Sequence, residues 1–427
     1  MRILLISPLY NTHIVAPHLG LGYLGSALKK GGHSVKVLDG LREEIVYDPK
    51  EYDLVGVTAM STYFPEAIEE VKRAKSFGAK TIIGGPHVIA IPQQSLIDAG
   101  SDYACVGEGE ITLLQLANGL KPEECVGLLY YNDKGDITLS QGKNGNKEDF
   151  VEFKYGDTNR KFYKDIDEFD RPDWDLIDPR TYPKAPHGMI AREFPLAPII
   201  TTRGCPYRCT YCSAPMTAGK GMRYRDPIKV VDEIEMLIKK YGVKEVQIED
   251  DNFTVKRDHA FAVCKEILKR KIKINWSLPN GVRIDKLDPE LLDIMAQSGC
   301  YLMALGIESA NQRILDMVKK RLNVKVVRKV TKWVKEAGIE AWGFFMIGFP
   351  TETREEMQET IKFALSLPLT RGQFTKATPL PGTDLYSLWF EKYSDGKKIN
   401  WANFNYYTFE TNWSGVSSEE LKKIQYW

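Results

Sequence analysis

The residues best suited to chemistry are three cysteines. Cys205, Cys209 and Cys212 stand in TTRGCPYRCTYCSAP, residues 201–215, with a C-x3-C-x2-C spacing and no fourth cysteine close by. So dense a group, flanked by Gly204 and Pro206, argues against ordinary buried thiols. Structural zinc prefers four closed ligands, usually as two paired knuckles. Cys264 and Cys300 stand alone on a predicted helix and a predicted helix end, and nothing in the setting of His187 recommends it as a fourth ligand. The third reading is an iron–sulfur cluster held by three thiolates. It leaves one iron open, which is useful only where another molecule binds.

Such a loop needs a scaffold, and the flanking sequence describes one. Strand-like stretches at 197–203, 245–250, 274–279, 301–308, 341–349 and 372–380 alternate with helical ones at 227–241, 257–270, 288–298, 311–320, 324–337 and 353–366. Six β/α steps predict a partial (βα)6 barrel, whose sites sit at the C-terminal strand ends; the cysteine loop follows the first strand. The first 110 residues alternate as well, from RILLIS (2–7) to DYACVG (102–107), and predict a doubly wound, Rossmann-like parallel sheet. A hairpin is expected over 127–140, turning at Asp133-Lys134-Gly135. The fold class is therefore α/β, divided as 1–140 for the first domain, 141–195 for a Pro- and Asp-rich linker, 196–390 for the barrel and 391–427 for a C-terminal region.

GLGYLG at 20–25, with Asp39 closing the second strand, has the letters of a dinucleotide-binding fingerprint. The context fails, because PLYNTHIVAPHL separates Ser7 from Gly20 and the glycines do not follow strand one directly. They are more simply close-packing residues in a helix.

Composition sets outer bounds. The 427 residues are 43% hydrophobic and 27% charged, with a formal net charge of +1, which gives no global attraction to nucleic acid or acidic membranes. No run of about 18 apolar residues occurs, so no transmembrane helix is expected. The start of the chain has too short an apolar run for a signal-peptide core. Seven dispersed cysteines argue against a disulfide framework and for a cytoplasmic protein; a membrane-bound substrate would bring it to a bilayer surface.

RGCPYRCTYC resembles the signature of radical S-adenosylmethionine (SAM) enzymes. The resemblance implies a [4Fe–4S] cluster on Cys205, Cys209 and Cys212, with SAM chelating the open iron and yielding a 5′-deoxyadenosyl radical on one-electron reduction. It implies Tyr211 beside the adenine. It implies Glu249 and Asp250, with Asp251 third, at the methionyl ammonium; Ser277, Asn280 and Arg283 near the ribose or carboxylate; Glu308 and Ser309 at the fourth strand end; and backbone groups of Ile347 and Gly348 toward the adenine.

GVTAM, IIGGPHVIA and VGEGE resemble the cobalamin-binding domain fused ahead of many such barrels. That resemblance implies cobalamin contacts from Thr58, Ser61, Gly84, Gly85, Gly107, Glu108 and Gly109, the glycines making room for the corrin and its tail. The D-x-H-x-x-G motif that supplies a cobalt ligand elsewhere is absent; His13 and His18 share the loop but not the spacing. The expected function is cobalamin-dependent radical SAM C-methylation of an unactivated carbon, with a ferredoxin- or flavodoxin-type electron donor and a bulky small-molecule or lipid substrate. A cyclase, oxidase or carbon–carbon coupling enzyme on the same scaffold is the alternative. A non-catalytic iron–sulfur electron carrier is the alternative of another class, and it has no use for an open iron.

Overall fold

The computed structural model describes residues 1–10, 14–142, 150–155, 158–185, 189–393, 399–407, 409–410 and 413–425. His13 and His187 lie outside them. The chain forms two compact units: residues 1–188 with 213–223 and 399–402, and residues 189–212 with 224–398 and 403–427.

The first unit is built on seven strands: β1 (Arg2–Ser7), β2 (Ser34–Asp39), β3 (Leu54–Thr58), β4 (Lys80–Gly84), β5 (Tyr103–Cys105), β6 (Val126–Tyr131) and β7 (Ile137–Gln141). Their order is β2-β1-β3-β4-β5-β6-β7, parallel through β5 and antiparallel in the β6–β7 hairpin. The continuous apolar runs of β1 and β3 are buried on both faces, as a helix-covered parallel sheet requires. The helices are α1 (Leu19–Lys30), α2 (Phe64–Ser76), α3 (Pro86–Ala90), α4 (Pro92–Ala99) and α5 (Gly109–Ala117).

GLGYLG falls inside α1 and serves packing. A Cβ on Gly22 would stand 2.5 Å from Ile177 and 2.8 Å from Pro172; one on Gly25 would stand 2.4 Å from Leu176. The segment expected to be a linker therefore lies on α1. The Asp173 amide donates to the Gly22 carbonyl, the Tyr182 hydroxyl to Asp39, and Trp174 and Ile177 are buried. A second hairpin, β8 (Phe150–Tyr155) with β9 (Thr158–Tyr163), lies in the same stretch. Buried apolar side chains spaced without helical or strand period carry this packing, which is why periodicity does not reveal it.

The second unit holds six parallel strands in chain order: β10 (Leu196–Ile199), β11 (Glu245–Ile248), β12 (Asn275–Val282), β13 (Cys300–Glu308), β14 (Glu340–Ile347) and β15 (Arg371–Lys376). Between and after them run α6 (Pro227–Tyr241), α7 (Arg257–Lys269), α8 (Pro289–Gln297), α9 (Gln312–Met317), α10 (Val327–Glu336), α11 (Arg354–Ser366), α12 (Asp384–Tyr393) and α13 (Ser418–Gln425). This is the partial barrel. Local signals set the helix ends: Asp226 caps α6 ahead of Pro227, Gly242 closes it at φ 67°, and Thr353 with Glu356 forms a capping box on α11. Helix α9 stops early, because Lys319 and Arg321 take φ 55° and 52°. No described helix is long and apolar enough to cross a membrane.

Candidate functional site

The cysteine loop leaves the end of β10 through Thr201 and Thr202. Their backbone amides donate to Asp250 Oδ1 at 2.6 and 3.0 Å, and the Thr201 hydroxyl donates to Asp250 Oδ2 at 2.5 Å. His259 Nε2 lies 3.2 Å from the same hydroxyl. Gly204, at φ 98°, then turns the chain into the cysteines. The far side of the loop is pinned between two helices: Thr210 N donates to the Val318 carbonyl, and Thr210 O accepts from Leu385 N. The Cys212 amide closes a turn on the Cys209 carbonyl.

All three thiols are free of disulfides. Burial pushes Cys205 up to about 11 and raises Cys209, while the Lys320 ammonium and the Arg283 guanidinium pull Cys209 the other way. The bare thiols of Cys205 and Cys209 stay protonated; a bound metal centre supplies the charge that deprotonates them. Among the described residues, no three His, Cys, Asp or Glu side chains gather closely enough to hold a single ion. Ligands to three separate irons need not converge, so the donor set suits a [4Fe–4S] cluster with three protein ligands.

A buried ion pair stands beside the loop. Lys320 Nζ is 2.7 Å from Glu308 Oε1, and both side chains are 9% exposed. Burial opposes the Lys320 charge, but Glu308 and Cys209 outweigh it and hold the ammonium's pKa above its usual value. Gly306 makes the pair possible, since a Cβ there would lie 2.9 Å from Lys320 Nζ. Glu308 itself adopts φ 68°. The Tyr211 ring packs 5.8 Å from Phe349, and burial drives its phenol pKa well up, with Glu308 and the thiols adding to the shift.

Several residues expected to meet SAM also make bonds within the protein. Both Asp250 oxygens accept from Thr201 and Thr202, which makes Asp250 an anchor for the root of the cysteine loop. Arg283 donates to the Lys320 and Arg321 carbonyls at 2.6 and 3.0 Å, pairs with Asp285 and stacks 3.9 Å over Tyr207. Ser309 bonds Thr360 and the Asn311 amide. The Ile347 carbonyl accepts from Ala377 N; Gly348 donates to Glu352 and accepts from Trp413. Ser277 is fully buried, and Asn280 donates to the Glu249 carbonyl at 2.8 Å, tying the ends of β12 and β11 together. The sequence reading missed Lys320 and Glu352. Lys320 sits in a run of three basic residues whose one buried member nothing local distinguishes. Glu352 reads as part of a helix start, yet it accepts from the Gly348 and Phe349 amides, and burial raises its carboxyl to about 7.

In the first unit the expected cobalamin residues cluster at the C-terminal ends of β3, β4 and β5, where doubly wound sheets bind ligands. Gly85 is also required by the protein's own backbone. At φ 100°, a Cβ would stand 2.7 Å from the Ala59 carbonyl; Gly84 meets only Cys105, at 3.6 Å. Glu108 is paired with Arg223 at 2.7 Å and accepts from Tyr163 N. Gly107 (φ 128°) and Gly109 carry the chain past it into α5. Ser61 Oγ lies 2.9 Å from His87 Nδ1, and Thr58 closes β3 beside Gly85. Two buried polar atoms of this unit, Ser7 Oγ at the end of β1 and His87 Nε2 in α3, have no hydrogen-bond partner among the described residues. Orphans of this kind suit a polar ligand such as cobalamin. His18 caps α1 by accepting from Leu21 N, which accounts for it without cobalt.

Comparison with known proteins agrees with this arrangement. The radical SAM superfamily matches residues 199–364, and the B12 binding domain matches residues 10–117. An uncharacterized methyltransferase of Pyrococcus horikoshii is 31% identical over 99% of this chain and 90% of its own. The anaerobic magnesium-protoporphyrin IX monomethyl ester cyclase of Rubrivivax gelatinosus is 28% identical over 96% of this chain and 73% of its own. Among solved structures, the radical SAM methyltransferase TsrM of Kitasatospora setae, with cobalamin and a [4Fe–4S] cluster bound, superposes with a TM-score of 0.74 at 21% identity, over 93% of this chain and 76% of that one. The chain thus belongs to the radical SAM enzymes that carry a B12-binding domain ahead of the barrel, with a [4Fe–4S] cluster, SAM and cobalamin as the family's cofactors.

Proposed function

We propose that this protein is a C-methyltransferase that attacks an unactivated carbon of a bulky small molecule or lipid. The observation that carries the reading is one chain holding both a three-thiol loop at the end of β10 and a B12-binding unit with orphaned polar atoms. A relative of nearly the same length, named a methyltransferase, supports it. When bound, the cluster and SAM supply a deoxyadenosyl radical, and cobalamin supplies the methyl group.

The protein's own residues do the rest. Cys205, Cys209 and Cys212 hold the cluster, and Asp250 fixes the root of their loop. Lys320 and Arg283 place positive charge beside the thiolates, easing the accumulation of negative charge in a buried site. Tyr211 and Phe349 form an aromatic wall that keeps water out and offers a face to an adenine. Glu308, oriented by Lys320, presents a carboxylate to the amino or hydroxyl groups of SAM. Thr58, Ser61, Ser7 and His87 face a cobalamin from the first sheet. Seven free thiols suit the reducing cytoplasm.

The cyclase relative favours a second reading, ring closure on the same scaffold. Product counting separates the two. Anaerobically reconstituted protein incubated with cell extract is expected to release S-adenosylhomocysteine and 5′-deoxyadenosine in equal amounts. Deoxyadenosine without S-adenosylhomocysteine would exclude methyl transfer, and Cys209→Ala is expected to yield neither.

A further inference from the structure

Strands β13, β14 and β15 share a register row. Gly306 pairs with Phe344, and Phe344 with Gln373. Register partners on neighbouring parallel strands point to the same face, about 5 Å apart. That face is the inner one. A Cβ on Gly281 of β12 would stand 3.5 Å from the Phe344 ring and 3.9 Å from Ala304 Cβ, so three strands converge on the ring. The alternate residues Phe345 and Phe374 stack on each other, and Phe374 packs outward on Ile347, Met357 and Leu421. At one end of the row a Cβ on Gly306 would meet Lys320 Nζ at 2.9 Å and Glu308 Oε1 at 3.2 Å, so the buried ion pair stands over it. At the other end Gln373 Nε2 donates to the Tyr407 hydroxyl at 2.6 Å.

Tyr407 comes from the segment beyond α12, which is fastened to the end of β15. Lys376 N donates to the Tyr406 carbonyl at 2.9 Å, and the Thr378 hydroxyl to the Asn405 carbonyl at 3.3 Å. Phe404 anchors the segment, buried against the Tyr386, Trp389 and Phe409 rings. Tyr406 is 41% exposed, yet burial drives its phenol pKa up and Cys212 and Glu308 add to the shift, so its ring lines a recess beside the cysteine loop and not the outer surface. Phe344, Gln373, Thr375 and Tyr407 are all partly exposed, and none carries a charge. Gln373 gives one N–H to Tyr407, while its carboxamide oxygen has no partner among the described residues.

We propose that this row is the wall that selects the substrate: Phe344 takes the face of an uncharged flat ring system, and the Gln373 carboxamide oxygen, oriented by Tyr407, accepts from an N–H or O–H on that ring. The inference deepens the methyltransferase reading and rests on it, because the row lies under the Glu308–Lys320 pair, where a substrate carbon must come to meet a radical made at the cysteine loop. A neutral acceptor satisfies a buried donor without a second buried charge, and an aromatic face suits a flat ring. A charged group would meet no counter-ion along the row.

The test uses the full chain with its cluster reconstituted and two ring probes of the same shape: indole, which carries an N–H, and indene, which does not. In equilibrium dialysis wild type is expected to bind indole about fivefold more tightly than indene, the worth of one neutral hydrogen bond. Indole-2-carboxylate should bind roughly tenfold more weakly than indole. Gln373→Met keeps the side chain's length, should keep its iron and melting temperature, and should bring the indole-to-indene ratio to about one. Tyr407→Phe leaves the amide unoriented and should lower the ratio about twofold with iron unchanged, whereas Phe344→Leu should weaken both rings alike. With cell extract, Gln373→Met should release S-adenosylhomocysteine about tenfold more slowly than wild type. A wild type that binds the two rings equally, a ratio unchanged in Gln373→Met, or a carboxylate bound as tightly as indole overturns the proposal. If wild type makes no deoxyadenosine even with dithionite, the methyltransferase reading fails instead, and the ring comparison still decides the wall.

Discussion

Asp250 offers the sharpest test of the site, because two roles for it predict opposite results. As loop anchor it accepts from two buried backbone amides and a hydroxyl. Asp250→Ala orphans both amides, at roughly 1–3 kcal/mol each, or about 2–6 kcal/mol together; the Thr201 hydroxyl keeps His259 within reach. Against this stands the cost of the charge itself. Burial is the largest influence on the carboxyl and raises it from 3.8 to about 6. Ionising it in the folded state therefore costs about 3 kcal/mol at neutral pH. A raised carboxylate pKa stabilises the fold fully below the unfolded value, and that stability is lost as pH rises through the folded one.

Asp250→Asn keeps an oxygen for the two amides, turns its amide toward the Thr201 hydroxyl and escapes the ionisation cost. It should match or exceed wild type near pH 8, and wild type should lose about 1.4 kcal/mol relative to it between pH 5 and pH 8. Urea unfolding at the two pH values, iron content after anaerobic reconstitution and SAM affinity decide the matter. The anchor role expects Asp250→Asn to keep its iron and bind SAM within about twofold of wild type, while Asp250→Ala loses both. An Asp250→Asn protein with full iron and SAM affinity down tenfold or more would refute the reasoning and restore an ammonium contact.

Three further outcomes follow from the same geometry. Lys320→Met leaves Glu308 buried without its cation and should cost about 3–5 kcal/mol, while Lys320→Met/Glu308→Gln should recover much of the loss; urea unfolding measures both. Gly85→Ala forces a Cβ against the Ala59 carbonyl at φ 100° and should destabilise the first unit by more than about 2 kcal/mol, whereas Gly84→Ala should be nearly silent in limited proteolysis and thermal melts. Glu352, raised to about 7 chiefly by burial, contributes stability that is lost as pH rises, so wild type should weaken by about 2 kcal/mol relative to Glu352→Gln between pH 5.5 and pH 8.5. Hydrogen exchange at the Gly348 and Phe349 amides, both bound to that carboxylate, localises the effect.

What the sequence discloses is what repeats or clusters. The barrel strands announce themselves by alternation with amphipathic helices, and the cysteine trio by a density that ordinary packing does not produce. The α1 glycines are readable as packing residues because they lie too far from strand one to meet a pyrophosphate. The partners of those glycines are not readable. Pro172, Leu176 and Ile177 sit in an aperiodic stretch whose burial depends on contacts more than a hundred residues away in sequence. Nor does a strand-end acid declare whether it faces a ligand or its own backbone. Asp250 and Glu249 are neighbours in one motif, and only the position of the Thr201 and Thr202 amides consigns Asp250 to the loop.

That distinction reaches beyond one residue. Asp250 and Arg283 are residues expected at a ligand, Glu352 is not, and all three bond backbone amides or carbonyls of the segments that frame the site. Asp250 grips the root of the cysteine loop, Arg283 the Lys320–Arg321 turn, and Glu352 the Gly348–Phe349 turn beneath Tyr211. Charged side chains are costly to bury, and backbone groups satisfy them with fixed, unchanging geometry. A site that generates an organic radical needs walls that do not shift. Spending its buried charges on backbone holds the loops rigid, and the Glu308 carboxylate is likewise held in place, by a buried lysine.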